Sequence, residues 1–144
     1  MIEPAVSPPA LATAAAPRVV EVDPQGDPRW AAFVAAHPAA TVYHHPAWLR
    51  VLETAHGYRP RHLACEDAAG EVCGVLPLFY KRGLVTGRCL SSLPHTPIAG
   101  PLARDPAAAA ALVRAAAARA ARRPGLRLQL KLPAPALDGL VPGV

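Results

Sequence analysis

The stretch His62-Leu63-Ala64-Cys65-Glu66-Asp67-Ala68-Ala69-Gly70-Glu71-Val72-Cys73-Gly74-Val75-Leu76-Pro77-Leu78-Phe79-Tyr80 decides how this chain folds. Two apolar runs flank the polar, glycine-containing segment Glu66-Asp67-Ala68-Ala69-Gly70-Glu71, which is the punctuation of a β-hairpin. Pro77 lies inside the second run. It has no N–H to donate, so it predicts an edge, a bulge or a splayed ladder at that point. Gly83 and Gly87 then bracket a second turn, after which residues 88–93 supply the third strand of an antiparallel meander.

Upstream, residues 18–22 are rich in valine and end at Asp23-Pro24, a strand followed by a stop. Asp27-Pro28 supplies an N-cap with proline at the first helical position. Trp30, Phe33 and Val34 follow at helical spacing, predicting an amphipathic helix that stops before Pro38. Pro46 opens a second helix carrying Trp48, Leu49, Val51 and Leu52, with Arg50 and Glu53 on its wetter side and Gly57 at its end. Downstream, Pro94, Pro97, Gly100 and Pro101 exclude regular structure. Asp105-Pro106 repeats the cap-plus-proline device before an alanine-rich helix, whose last turn sets Arg119, Arg122 and Arg123 against the negative end of the dipole. Leu126, Leu128, Leu130 and Leu132 then alternate with Arg127, Gln129 and Lys131, a strand with one apolar face.

This order of elements predicts an α+β (mixed α/β) fold, with helices layered on a largely antiparallel sheet. Residues 1–17, broken by Pro4, Pro8, Pro9 and Pro17, read as a disordered leader, residues 18–132 as the folded unit, and residues 133–144 as a tail that begins a further segment. With 144 residues the chain affords one core but not two. Alanine makes up much of its 52% apolar content and aromatics only 5%, so few large side chains must fill that core.

Fifteen Lys and Arg against ten Asp and Glu give a net charge of +5, which favours anionic partners. The cations are scattered instead of forming a dense run, so nucleic-acid binding is weakly indicated. Cys65, Cys73 and Cys89 are odd in number, lack C-x-x-C spacing and follow no secretory signal. Reduced thiols in a cytoplasmic protein are the simplest account. The charge-free run of residues 30–49 is long enough to span a bilayer but is broken by Pro38, Pro46 and three histidines, so no transmembrane segment is expected. Adjacent His44 and His45 point apart in an extended segment and do not suit one metal ion, and His45 reads better as a helix-opening residue. Ser91, Ser92, His95 and Asp105 include the residue types of a hydrolytic triad but lack a G-x-S-x-G elbow.

Three segments together carry a family likeness: His44-His45-Pro46-Ala47-Trp48, Gly74-Val75-Leu76-Pro77-Leu78, and the run from Gly87 through Ser91-Ser92-Leu93-Pro94 to Ala99-Gly100-Pro101-Leu102. In that order they resemble the first half of a FemAB-type peptidoglycan-bridge aminoacyltransferase. That family belongs to the acyltransferase superfamily of the Gcn5-related N-acetyltransferases (GNAT), and the likeness covers residues 19–132. It implies the first layer of a tandem acyltransferase fold, completed by a C-terminal half, that moves an aminoacyl group from aminoacyl-tRNA to an amine of a peptidoglycan precursor. It also implies no bound cofactor, direct transfer without a covalent enzyme intermediate, and peripheral contact with the membrane. An acyl-CoA donor with a polysaccharide or small amine acceptor is the alternative within the superfamily, although the superfamily's pyrophosphate-loop signature is absent. A non-catalytic binding module is the alternative outside it. The resemblance points to Arg50 and Trp48 on the helix opened by Pro46. Lys81 and Arg82, at a strand end, are two fixed cations suited to phosphate. Ordinary exposed charges account for Arg50, Lys81 and Arg82 as well.

Overall fold

Asp27 and Asp105 cap their helices as the sequence predicts, each carboxylate accepting a backbone N–H from the first turn: Arg29 N–H at 3.0 Å and Ala108 N–H at 2.8 Å. The computed structural model describes residues 17–85, 87–92 and 100–131. It contains helices α1 (Pro28–Ala36), α2 (Pro46–His56) and α3 (Pro106–Ala121), with a 3-10 turn at Val42–His44. Its strands are β1 (Arg18–Glu21), β2 (Arg59–Pro60), β3 (Leu63–Glu66), β4 (Val72–Leu76), β5 (Phe79–Gly83), β6 (Gly87–Ser91), β7 (Leu102–Ala103) and β8 (Leu126–Gln129). Most of the proposed leader and tail, Leu132, and the loop holding Pro94, His95 and Pro97 lie outside the described residues.

The strands form two four-stranded sheets, ordered β1-β3-β4-β7 and β2-β5-β6-β8, and every pairing is antiparallel except the parallel β6–β8. The fold is thus mixed α+β, as expected. Pro77 is where one sheet gives way to the other. Strand β4 stops at Leu76 and β5 resumes at Phe79, yet the hairpin keeps one register across the gap, with Leu63 opposite Leu76 and Pro60 opposite Phe79. The interrupted ladder is repaired locally: Arg61 N–H donates to the Leu78 carbonyl at 2.8 Å, and Leu78 N–H donates to His62 Nδ1 at 3.0 Å. Because Nδ1 accepts, the imidazole proton sits on Nε2.

Alternation along the strands separates two cores. Val20, Ala64, Val75 and Phe79 face α1 and α2, packing with Trp30, Val34, Leu49 and Leu52. Leu63, Cys65, Leu76, Leu78 and Leu90 face α3, packing with Ala108, Leu112 and Ala116. Helices therefore cover both faces, and the architecture is three-layered. The α3 layer lies close because alanine lines the helix and Gly74 lies beneath it. A Cβ on Gly74 would sit 3.0 Å from Leu112 Cδ1 and 3.4 Å from the Leu102 carbonyl oxygen. A bulge between Cys65 and Glu66 lets Cys73 join Gly74 on this side.

Three local expectations are corrected. Glu66 is not part of the hairpin loop. It closes β3, buried, with Arg18 Nη2 and Arg29 Nη1 each 2.8 Å from its carboxylate, because the turn proper is built by Asp67, whose carboxylate accepts the N–H groups of Ala69 and Glu71. Leu102–Ala103, inside the proline-rich segment read as irregular, adds a short strand beside β4, its backbone free to pair once past Pro101. Glu53 is only partly on the wet side of α2: one carboxylate oxygen is buried with no hydrogen-bond partner among the described residues, and burial first, then Asp23, raises its pKa while Arg50 opposes. The last strand pairs in parallel because α3 crosses back over the sheet before it.

Candidate anion-binding site

Two basic clefts meet at Tyr80. The first, of about 190 Å³, lies on the α3 face of the second sheet, beyond the end of that helix. Its floor is Tyr80 and Leu90, paired across β5 and β6, with Leu126 two residues along β8 from Leu128, the partner of Leu90; its rim is Glu21 from β1, Arg61 from the β2–β3 junction, and Arg119, Arg122 and Arg123 from the end of α3 and the turn after it. Arg119 stands in the last turn of α3, Arg122 is its C-cap and Arg123 follows in the turn, so the helix stops two residues short of its expected end. The turn that holds them is fixed by Gly125 at φ 79° and by Arg88 Nη2, which donates to the Pro124 carbonyl at 2.8 Å. Arg119 Nε is buried and has no hydrogen-bond acceptor among the described residues.

The second cleft, of about 230 Å³, wraps the edge strand β2 and is lined by His56, Gly57, Tyr58, Arg59, Tyr80, Lys81 and Arg82. Gly57, at φ 68°, ends α2 in the left-handed conformation and turns the chain into β2. The His56 ring stacks on Tyr58 at 5.3 Å and 13°. Lys81 and Arg82 thus come together in a concave surface. Lys81 also faces Lys131, whose pKa is lowered by burial first and by Lys81 second.

Arg50 and Trp48, the other two residues singled out in the sequence, line neither cleft. Arg50 is exposed on α2. Trp48 is half-buried, edge-to-face with Tyr43 at 5.6 Å, and its indole N–H is buried without an acceptor among the described residues. Their partnership with Lys81 and Arg82 would need a ligand long enough to run from α2 around the β2 edge.

The remaining candidates take structural places. His45 Nδ1 accepts Ala47 N–H at 3.1 Å as the cap of α2, while His44 is buried, caps the 3-10 turn and has its pKa lowered chiefly by burial. Buried Ser92 accepts Lys131 N–H at 2.8 Å, and Asp105 is committed to capping α3. His62 is fully buried and burial pushes its pKa down to about 3, so it is neutral; Nε2 has no acceptor among the described residues, and the ring stands edge-on to Phe79 at 4.7 Å. The Cys65 thiol is pushed up to about 12, first by burial and then by Cys73, so it is protonated and a poor nucleophile. Among the described residues no group of three or more His, Cys, Asp or Glu is placed to hold a metal ion, and no helix is long and apolar enough to cross a membrane.

Sequence reading missed Glu21 and Arg61 as neighbours of the α3 arginines, since they come from separate strands. The signal for half of the cleft was nevertheless present: three arginines within five residues of the end of α3 exceed what a helix terminus needs. No protein-family model matches the chain, and no curated protein matches it.

Proposed function

We propose that this chain is an acyltransferase layer of the FemAB type, within the GNAT superfamily, that helps move an aminoacyl group from aminoacyl-tRNA to an amine of a peptidoglycan precursor in the cytoplasm. The observation that carries the reading is the pair of basic clefts joined at Tyr80, a surface for an anionic substrate on the sheet rather than on a loop. Lys81, Arg82 and Arg59 hold the anionic part of the acceptor. The acceptor amine attacks the ester carbonyl carbon of the donor, a C–N bond forms, and the ester C–O bond breaks with the proton passing to the departing ribose oxygen.

Three further features support this reading. A phosphorylated donor such as acyl-CoA favours a free helix N-terminus, but that of the crossover helix α3 is filled by the Asp105 carboxylate, which already accepts Ala108 N–H. Strand β8 is an edge whose outer side pairs with no strand among the described residues, and Leu126 and Leu128 on it and Leu130 just after it are only half-buried, which suits a second half packing there. At the tip of the β5–β6 hairpin, Leu84 and Val85 are fully exposed between Arg82 and Arg88, a pairing of apolar and basic groups that suits peripheral contact with an anionic membrane.

The test is a transfer assay on the protein encoded by the whole open reading frame, with labelled aminoacyl-tRNA and precursor. Aminoacylated precursor is expected, reduced at least tenfold by the double variant Lys81→Ala, Arg82→Ala. Acylation from acyl-CoA with none from aminoacyl-tRNA would replace this reading with the acetyltransferase one, and precursor binding without turnover from either donor would make the chain a binding module.

A further inference from the structure

The cleft at the end of α3 carries more positive charge than anything in the fold uses. Four guanidiniums, from Arg61, Arg119, Arg122 and Arg123, line it with one carboxylate, Glu21. None of the four arginines forms an ion pair within 4 Å among the described residues. The helix end offers some compensation, but a macrodipole amounts to about half an elementary charge. That leaves most of an excess of three charges unbalanced, and it does not bear on Arg61, which reaches the cleft from the sheet. Around the first sheet, by contrast, carboxylates meet arginines directly: Arg18 and Arg29 clamp Glu66, and Arg104 meets Asp67.

A second, independent sign of a missing anion is Arg119 Nε, buried without an acceptor among the described residues. A buried donor left unmatched costs on the order of 1–3 kcal/mol, and more when it carries charge. Guanidinium forks match the paired oxygens of phosphates, and Tyr80 adds a phenolic hydroxyl at the junction with the neighbouring cleft. A lone carboxylate would neutralise one of the three surplus charges, whereas a diphosphate would neutralise two or three.

We propose that this cleft is a binding site for a diphosphate group, gripped by Arg119, Arg122 and Arg123 from the end of α3 and by Arg61 from the β2–β3 junction. The site is separate from the Lys81 and Arg82 cleft used in the transferase reading and goes beyond it. Glu21 opposes the anion and sets an upper limit on affinity.

Isothermal titration of the purified chain with inorganic pyrophosphate, at fixed ionic strength, tests this. Saturable binding is expected, weakened at least tenfold by Arg122→Ala with Arg123→Ala, both exposed positions whose loss leaves the fold intact, and tightened severalfold by Glu21→Gln. Lys81→Ala with Arg82→Ala should leave it within about twofold. A nucleoside diphosphate that binds more tightly than pyrophosphate would assign the group to a nucleotide, and equal binding would assign it to free diphosphate; both uphold the site. No saturable binding at millimolar pyrophosphate, or equal losses in the two double variants, would overturn it. Because no transfer step is measured, failure here leaves the acyltransferase reading standing, and failure of the transfer assay leaves this site standing.

Discussion

The two sheets share one hairpin but treat charge in opposite ways. Around β1-β3-β4-β7, charges are neutralised: Glu66, buried at the strand end, is held by Arg18 first and Arg29 second, which keep its carboxyl below the usual range, and Arg29 is raised in turn by Asp27 and Glu66. Around β2-β5-β6-β8, cations collect with Glu21 as the one carboxylate lining their clefts, and the leucines of β8 are half-covered. The first sheet is built for stability, and the second keeps charge and apolar surface available for something outside the described residues. Pro77 marks the boundary, and His62 is the residue that makes that boundary tolerable.

The sharpest way to break this contrast is to truncate one leucine in each half. Leu112→Ala, under the closely packed α3 and fully buried, should cost about 2–5 kcal/mol in urea unfolding. Leu128→Ala, half-buried on the edge strand, should cost about 1 kcal/mol or less. Equal losses would mean that β8 is as sealed as the first sheet.

A smaller effect tests the boundary. His62 is neutral in the fold with its pKa down at about 3, whereas in the unfolded chain it titrates near 6.5. The unfolded state therefore binds the extra proton first. Stability should be complete above about pH 6.5 and fall by roughly 1 kcal/mol per pH unit below it, toward the folded pKa. His62→Gln, which can still offer an acceptor to Leu78 N–H, should flatten that slope in urea melts taken from pH 7 to pH 5. An unchanged slope would assign the acid sensitivity to other groups, such as His44.

The smallest effect on stability sharpens the functional side. Replacing Leu84 and Val85 with serine should shift unfolding by less than about 0.5 kcal/mol, since both are fully exposed. Binding to anionic vesicles in a sedimentation assay should nevertheless fall severalfold. Retained binding would remove the hairpin tip from any membrane contact.

Much of the fold was legible because it rests on local rules. Asp27-Pro28, Pro46, Gly57 and Asp105-Pro106 set helix limits through capping chemistry, and alternation in residues 126–130 reported a strand with one apolar side. Lys81 and Arg82 were visible as a cation pair at a strand end, and the structure places them in a cleft together. Arg61 and Glu21 were not visible as cleft residues, because no spacing along the chain relates them to position 119.

The amino-acid sequence by itself determined where helices begin, that Pro77 must break a ladder, and that the chain carries a net positive charge, since capping, missing donors and composition act within a few residues or over the whole chain. Tertiary structure alone decided that β8 runs parallel to β6, that His62 repairs the break, and that four arginines surround one cleft. Those outcomes depend on how strands distant in sequence align, and no local preference encodes that alignment.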